Sequence, residues 1–468
     1  MSKRRFAPWT RWAAAGLLLA ALLAFVPGAG STDDGLPVVA QGPIPSTQHP
    51  TARTYPAHYI ILERGPQGDV RPLAHRLVQL SAPLEPLGNG VLAAQMQQPD
   101  RDVLRYAVRL EGDAGQMLYQ NVVEVPRWTR AEFHAAPGAP IDGQILPLER
   151  AVFVVRVPAL SGVSANGAAS EQAAVLSLQE NVSARVARFE LAELAAQSPD
   201  VHLDEVSQST VLMDNGPPGN RVDLLVIGEG YTSAQQDQFD RNAQETVDEF
   251  LGISPYAEYR NYVNVQTLFV PSAEAGADHP HFRPICNDTS CCGDPEMLDD
   301  PLEGTMVDTA FDARYCAYNI HRLLVVSGYK VAEAAAAAPD WDQILVIVND
   351  TTYGGSGGAN SVISMHSRAP EIAQHEYGHA FAGLADEYET AYPGYPECSD
   401  LGGPACEPNV TDVTARASIK WGPWISPSVP IPTEPEFDPA FADVVGLFEG
   451  ARYKSAGMYR PGQNCIMR

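Results

Sequence analysis

The chain has 468 residues, more than a single typical domain, so two or three folded units are expected. Its formal net charge of −26 excludes nucleic acid and anionic membrane as natural partners and suits a soluble extracellular protein. The seven cysteines, at 286, 291, 292, 316, 398, 406 and 465, lie in the second half and lack the paired CxxC spacing of a zinc ribbon. In an oxidising compartment they allow up to three disulfides with one thiol left over, Cys398 and Cys406 suiting each other across a short Gly/Pro loop.

Residues 1–30 read as a secretory signal peptide: Lys3, Arg4, Arg5 and Arg11 are basic, 13–26 is apolar, and Gly28-Ala29-Gly30 is a small-residue exit. The apolar run is short for a membrane span, so no stable membrane insertion is expected after cleavage. Residues 31–55, rich in Pro, Gly, Ser and Thr, form a flexible lead. Short apolar alternations then recur over 56–213, at 59–62, 103–110, 120–125, 151–157 and 209–213. Gly65-Pro66 and the 137–140 turn punctuate them. This pattern predicts a β-sandwich-like domain, with the Ala-, Leu- and Glu-rich stretch 171–196 as a helical exception. Without a cysteine it has no thiolate to block a metal, and it reads as an accessory domain for binding or spacing in preference to a pro-segment.

After a linker at 214–220, the order changes. Strand 222–227, a turn at 228–232 capped by Thr232 or Ser233, helix 236–251 and strand 263–270 predict an α/β layer. The fold class is therefore α+β, with a second domain over 220–468. Residues 272–316 are loop-rich, and His279-Pro280-His281 reads as a surface loop. Helix 319–338 and a buried strand at 344–348 follow. The Gly-rich stretch 353–360 lacks the Lys-Ser or Lys-Thr of a phosphate cradle. It leads into 361–365, read as an exposed edge strand able to pair with an extended substrate. Trp421 and Trp424 among prolines suggest a rigid surface segment.

The chemistry concentrates in His375-Glu376-Tyr377-Gly378-His379. Histidines four apart on a helix project from one face, which suits two imidazole nitrogens closing on one zinc ion. Glu376 flanks that position and can take a proton from a zinc-bound water. Ala369-Pro370-Glu371 reads as the helix start, and Ile372, Ala373, Phe381 and Leu384 supply a buried side. An unbroken helix would carry Asp386 about 10 Å along the axis past His379. The helix must therefore stop, and Gly383 is placed as the left-handed residue that lets Asp386 or Glu387 swing back as third ligand. A secreted binding or adhesion protein with a structural metal is the competing reading. Structural zinc sites close with four protein ligands, whereas this pattern offers three and an intact base.

The stretch 375–388 resembles the IgA-peptidase family of secreted bacterial zinc metallopeptidases. So do the strand and turn at 222–232 and the closing run from Tyr459-Arg460-Pro461 to Cys465-Ile466-Met467. The resemblance covers 220–468, and the β-rich region is similar to the N-terminal domain that often accompanies it. It implies a secreted zinc (Zn2+) endopeptidase of metzincin-like architecture acting on protein or peptide substrates. His375, His379 and Asp386 would be ligands and Glu376 the general base. Its glycine turn comes one residue later than the usual metzincin spacing. Met467 resembles the methionine of the turn beneath a metzincin metal, with Met458 its competitor. Tyr459 and Arg460 are candidates to stabilise the oxyanion.

Overall fold

The computed structural model describes residues 54–468 apart from 98–102, 113, 135–140, 160, 164–168, 172–173, 181–184, 198–208, 368, 392–394, 396, 435–438 and 442. The signal peptide, the lead up to residue 53 and the 137–140 turn lie outside the described residues.

The N-terminal part contains β1 (Tyr55–Arg64), β2 (Val70–Leu80), α1 (Asn89–Gln97), β3 (Val103–Gly112), β4 (Met117–Pro126), β5 (Trp128–His134), β6 (Ile141–Pro147) and β7 (Ala151–Pro158). It continues through β8 (Ser161–Val163), β9 (Ala169–Glu171), β10 (Ala174–Gln179), β11 (Arg185–Glu190) and α2 (Leu191–Gln197). Antiparallel pairing builds one sheet in the order β2-β1-β7 and another in the order β11-β10-β3-β4. Strand β7 alternates buried Ala151, Phe153, Val155 and Val157 with half-buried residues, the period-two pattern of a strand with one face inward. These side chains meet Ile60 and Leu62 of β1 and Tyr106, Val108, Leu110, Leu176 and Leu178 of the other sheet in one apolar core. The helix expected over 171–196 survives only as α2. Strand β10, all six residues buried, pairs with both β3 and β11, and that tertiary pairing overrides helix propensity.

The C-terminal part runs through β12 (Thr210–Met213), β13 (Val222–Glu229), α3 (Gln236–Phe250), α4 (Tyr256–Tyr259) and β14 (Val263–Phe269). Then come β15 (His281–Phe282), β16 (Cys291–Cys292), α5 (Gly328–Ala335), β17 (Gln343–Val348), β18 (Gly355–Ser356), β19 (Ser361–Ser364), α6 (Ala369–Ala382), β20 (Phe448–Ala451) and β21 (Lys454–Arg460). One sheet has the order β12-β14-β13-β17-β19-β18, parallel in its centre and antiparallel at both ends. Alternate residues of β13 serve its two faces. Leu224 and Val226 pack with α3 and α6, and Leu225 and Ile227 with α5. Covering both faces is what a parallel sheet requires. A capping box of Thr232 and Gln235 starts the helical turn that leads into α3.

Several expectations are corrected. Strand β12, assigned from sequence to the N-terminal domain, joins the C-terminal sheet beside β14. The 214–220 linker is pinned there, because the Asn215 amide donates to the carbonyls of Arg260 and Val263. In place of a helix over 319–338 only α5 forms, since Cys316, Tyr318 and Asn319 adopt left-handed backbone. His279 is fully buried, with its ring between Asp300 and Asp350. Trp421 is a core residue whose indole donates to the Gly446 carbonyl. The strand at 361–364 is no edge, because β19 lies between β17 and β18. The edge is β18, and it is covered: Gly355 exchanges backbone hydrogen bonds with Arg322 and Leu324. Disulfides join Cys286–Cys291, Cys292–Cys316 and Cys398–Cys406, with Cys465 as the remaining thiol.

Candidate metal centre

Helix α6 leaves the sheet directly after β19 and buries Ile372, Ala373 and Tyr377 against α3 and the sheet. Pro370 occupies its first turn, where a missing backbone N–H costs nothing. Gly383 ends it at φ +59°, donating to the His379 carbonyl, while the Leu384 N–H reaches back to Gly378. The reversal also supplies an acceptor, since the Leu384 carbonyl accepts a hydrogen bond from His379 Nδ1–H at 2.6 Å. His375 Nδ1 donates likewise to the Ile466 carbonyl at 2.7 Å.

Carbonyls only accept, so both Nδ1 atoms carry the proton and both Nε2 atoms present lone pairs. Those nitrogens stand 2.9 Å apart, and Asp386 Oδ1 lies 3.3 Å from His375 Nε2 and 3.2 Å from His379 Nε2. Three acceptors converging in a buried place repel one another unless a cation lies among them. Ligands on tetrahedral bonds of about 2.0–2.1 Å stand roughly 3.3 Å apart, so this donor set fits a small divalent ion.

Glu376, between the histidines in sequence, is 1 % exposed. Its carboxylate lies against Gly357, just beyond β18: a Cβ at 357 would stand 1.6 Å from Oε2. Residue 357 is therefore glycine for want of space. Asp386 directs its second oxygen to the Tyr453 hydroxyl at 2.9 Å, and Tyr388 stacks on the His375 ring at 6.2 Å between centroids. Tyr453 and Arg452 form the turn of the β20–β21 hairpin with φ of +59° and +55°. Such backbone costs about 1–3 kcal/mol per residue. The turn is held by a bidentate Arg452–Glu407 pair and by backbone bonds from Arg452 to Asp386 and from Tyr453 to Tyr388.

The sequence model of the family described as IgA Peptidase M64 matches residues 210–441. The chain belongs to the IgA peptidase M64 family. No curated protein matches it. The match begins at β12 and spans the three converging residues, so M64 membership makes this chain a peptidase, a hydrolase of peptide bonds.

In this M64 chain Glu387, the alternative third ligand, turns elsewhere. It accepts from Asn409 at 3.0 Å and from the Cys465 thiol at 3.0 Å, and burial, ahead of these bonds, pushes its pKa up. Met467 packs against the helix at Gly378, where a Cβ would stand 2.8 Å from its sulfur, and its carbonyl accepts from the Glu387 N–H. Met458 lies apart, with Ala385, Cys398, Cys406 and Val410. Tyr459 exchanges backbone bonds with Thr411 and packs on the Trp421 cluster. Arg460 directs its guanidinium to the carbonyls of Glu449, Gly450 and Gln463. Both thus have structural partners, and the phenol brought to Asp386 is Tyr453. Sequence reasoning missed Tyr453, Asn409 and Cys465. Only Cys465, two residues before Met467 in the closing motif, carried a usable signal.

Proposed function

We propose that the chain is a secreted zinc metalloendopeptidase in which His375, His379 and Asp386 hold the metal and Glu376 is the general base. The observation that carries this reading is the convergence of two imidazole lone pairs and one carboxylate oxygen beside Glu376. Two nitrogens and an oxygen suit zinc, and three protein ligands leave a coordination position for the reaction. When bound by these residues, zinc would supply a Lewis acid for the scissile carbonyl and for the attacking water. Glu376 accepts the proton of that water and returns it to the leaving amine. Tyr453 holds the outer oxygen of Asp386, and the carbonyls of Ile466 and Leu384 fix the tautomers of the two histidines.

The signal sequence at 1–30 and three disulfides support secretion, and no helix among the described residues is long and apolar enough to cross a membrane. The two N-terminal sheets sharing a core support a sandwich-like accessory domain. The helix, glycine turn and Met467 contact support a metzincin-like catalytic domain.

The test is zinc content and peptide-library cleavage for the purified chain beside its Glu376→Gln variant. The variant is expected to retain about one zinc per chain and lose cleavage by about 10²–10⁴-fold. Undiminished cleavage would overturn the assignment of Glu376. A wild type that holds zinc and cleaves no peptide would favour a structural metal in a binding protein.

A further inference from the structure

Strand β5 belongs to the N-terminal part, yet two successive residues of it reach two different segments that line the proposed metal centre. Thr129, buried, donates its hydroxyl to the Gly357 carbonyl at 3.0 Å. Gly357 is the residue that backs the Glu376 carboxylate. Trp128 packs on the pair Tyr388 and Tyr453, which in turn contact His375 and Asp386. Its carbonyl also lies 3.7 Å from the Cβ position of Gly358. Adjacent side chains of a strand point to opposite faces, so one strand inserted here can brace two walls at once. Strand β6 secures it from behind, pairing with β5 throughout and packing Leu146 on the Ala317 and Leu323 cluster.

We infer that Thr129 and Trp128 are positioning residues of the peptidase site, so that the N-terminal part completes the catalytic centre and is more than a spacer. The inference rests on the peptidase reading above. Its physical basis is the sequence of the wall behind Glu376. Gly354, Gly355, Gly357 and Gly358 surround a single serine, and glycine backbone is the least self-constrained. Gly355 is tied to the 322–324 segment, but the Gly357 carbonyl is tied by the Thr129 hydroxyl. Releasing that bond lets the wall shift, and the carboxylate packed against it follows. A displacement near 1 Å at a reacting group costs on the order of 10²-fold in rate.

The experiment uses the full chain with Thr129→Val, Thr129→Ala and Thr129→Ser. Four readouts are taken: zinc content, thermal stability, steady-state cleavage of a library-derived peptide, and hydrogen–deuterium exchange over residues 354–360. The two variants without a hydroxyl should lose on the order of tenfold or more in kcat with little change in KM. Zinc should stay bound and amide exchange in the glycine stretch should rise. Serine, which keeps the hydroxyl, should restore both kcat and protection, a rescue that loss of packing alone would not produce. Unchanged kcat in both variants, or failure of serine to rescue, overturns the inference. So does a rise in kcat, which would make β5 an obstruction to the site. Should Thr129→Val not fold, Thr129→Ala and Thr129→Ser decide it. If the wild type cleaves nothing, the peptidase reading fails on its own, while the exchange comparison still reports whether Thr129 holds the wall.

Discussion

At the scale of single residues, the two glycines against the site make unequal demands. A Cβ at Gly357 would stand 1.6 Å from Glu376 Oε2, and one at Gly378 would stand 2.8 Å from Met467 Sδ. The thioether is a flexible end that can swing aside, whereas the carboxylate is the group whose position matters. Gly357→Ala is therefore expected to lose on the order of 10²-fold in kcat while retaining its metal. Steady-state kinetics with metal analysis checks this, and a Gly357→Ala enzyme with wild-type kcat would sink the proposed placement of Glu376. The legible part of this site in the sequence was the local part. Spacing brings His375, Glu376 and His379 onto one helix, and Gly383 lets the chain return within a few residues. Tyr453 is 67 residues from Asp386 and Cys465 is 78 from Glu387, so their meeting depends on how the hairpin and the closing segment fold back. No spacing rule reaches that far.

At the scale of elements, the buried runs at 224–227 and 344–348 were readable because a parallel strand covered on both faces is continuously apolar, whereas 263–270 is interrupted by Asn264, Gln266 and Thr267 and was legible only from its β-branched and aromatic content. The 171–196 and 319–338 stretches misled because composition reports propensity, while strand pairing of β10 in the first and, in the second, left-handed Asn319 with backbone bonds from 324–325 to Gly355 and Arg314 set the outcome. The 279–281 segment misled for another reason: a buried histidine can be paid for by carboxylates from distant loops. His279 Nδ1 lies 2.7 Å from Asp300 and its Nε2 3.0 Å from Asp350, with His321 also on Asp300 at 2.8 Å and Tyr315 stacked on the ring. Burial lowers the His279 pKa, but the bonds to Asp350 and Asp300 outweigh it and the net shift is upward from 6.5. A histidine whose folded pKa is raised contributes stability that is full below its unfolded value and lost as pH rises through the folded one. Thermal unfolding across that window should show the advantage of wild type over His279→Gln shrinking with rising pH. A constant difference would mean that folding leaves the His279 pKa unraised.

At the scale of the whole molecule, the N-terminal and C-terminal parts are joined along α5. Ala332 and Ala336 meet Ala57, Tyr59 and Ile61 of β1, while Val331, Ala334 and Ala335 face the C-terminal sheet. Small side chains on both sides of one helix let two sheets approach it closely, which is what the alanine-rich run accomplishes. Polar ties frame the seam: Tyr59 donates to the Ala332 carbonyl, Arg76 pairs with Glu333, and Arg156 donates to the Pro339 carbonyl. Separating the parts would expose this apolar seam and break those bonds together.

The candidate metal centre belongs to the C-terminal part of this joined molecule. Helix α6, the 383–388 turn, the β20–β21 hairpin and the 465–468 segment all converge on His375, His379 and Asp386 through bonds already described. A cation bound there stabilises only the folded arrangement, because the unfolded chain scatters the three ligands. With free metal at 100 times its Kd the contribution is about 2.7 kcal/mol, and chelation removes it. Calorimetry of the full chain before and after chelation should show Tm falling by several degrees and recovering when zinc is restored. Following the same melt by tryptophan fluorescence tests the seam as well. Trp128 of β5 packs on Tyr388 and Tyr453 across the two parts and Trp421 lies in the C-terminal core, so a joined molecule loses both environments in one transition. An unaltered Tm on chelation would argue against a metal organising these segments, and two well-separated transitions would argue against the seam.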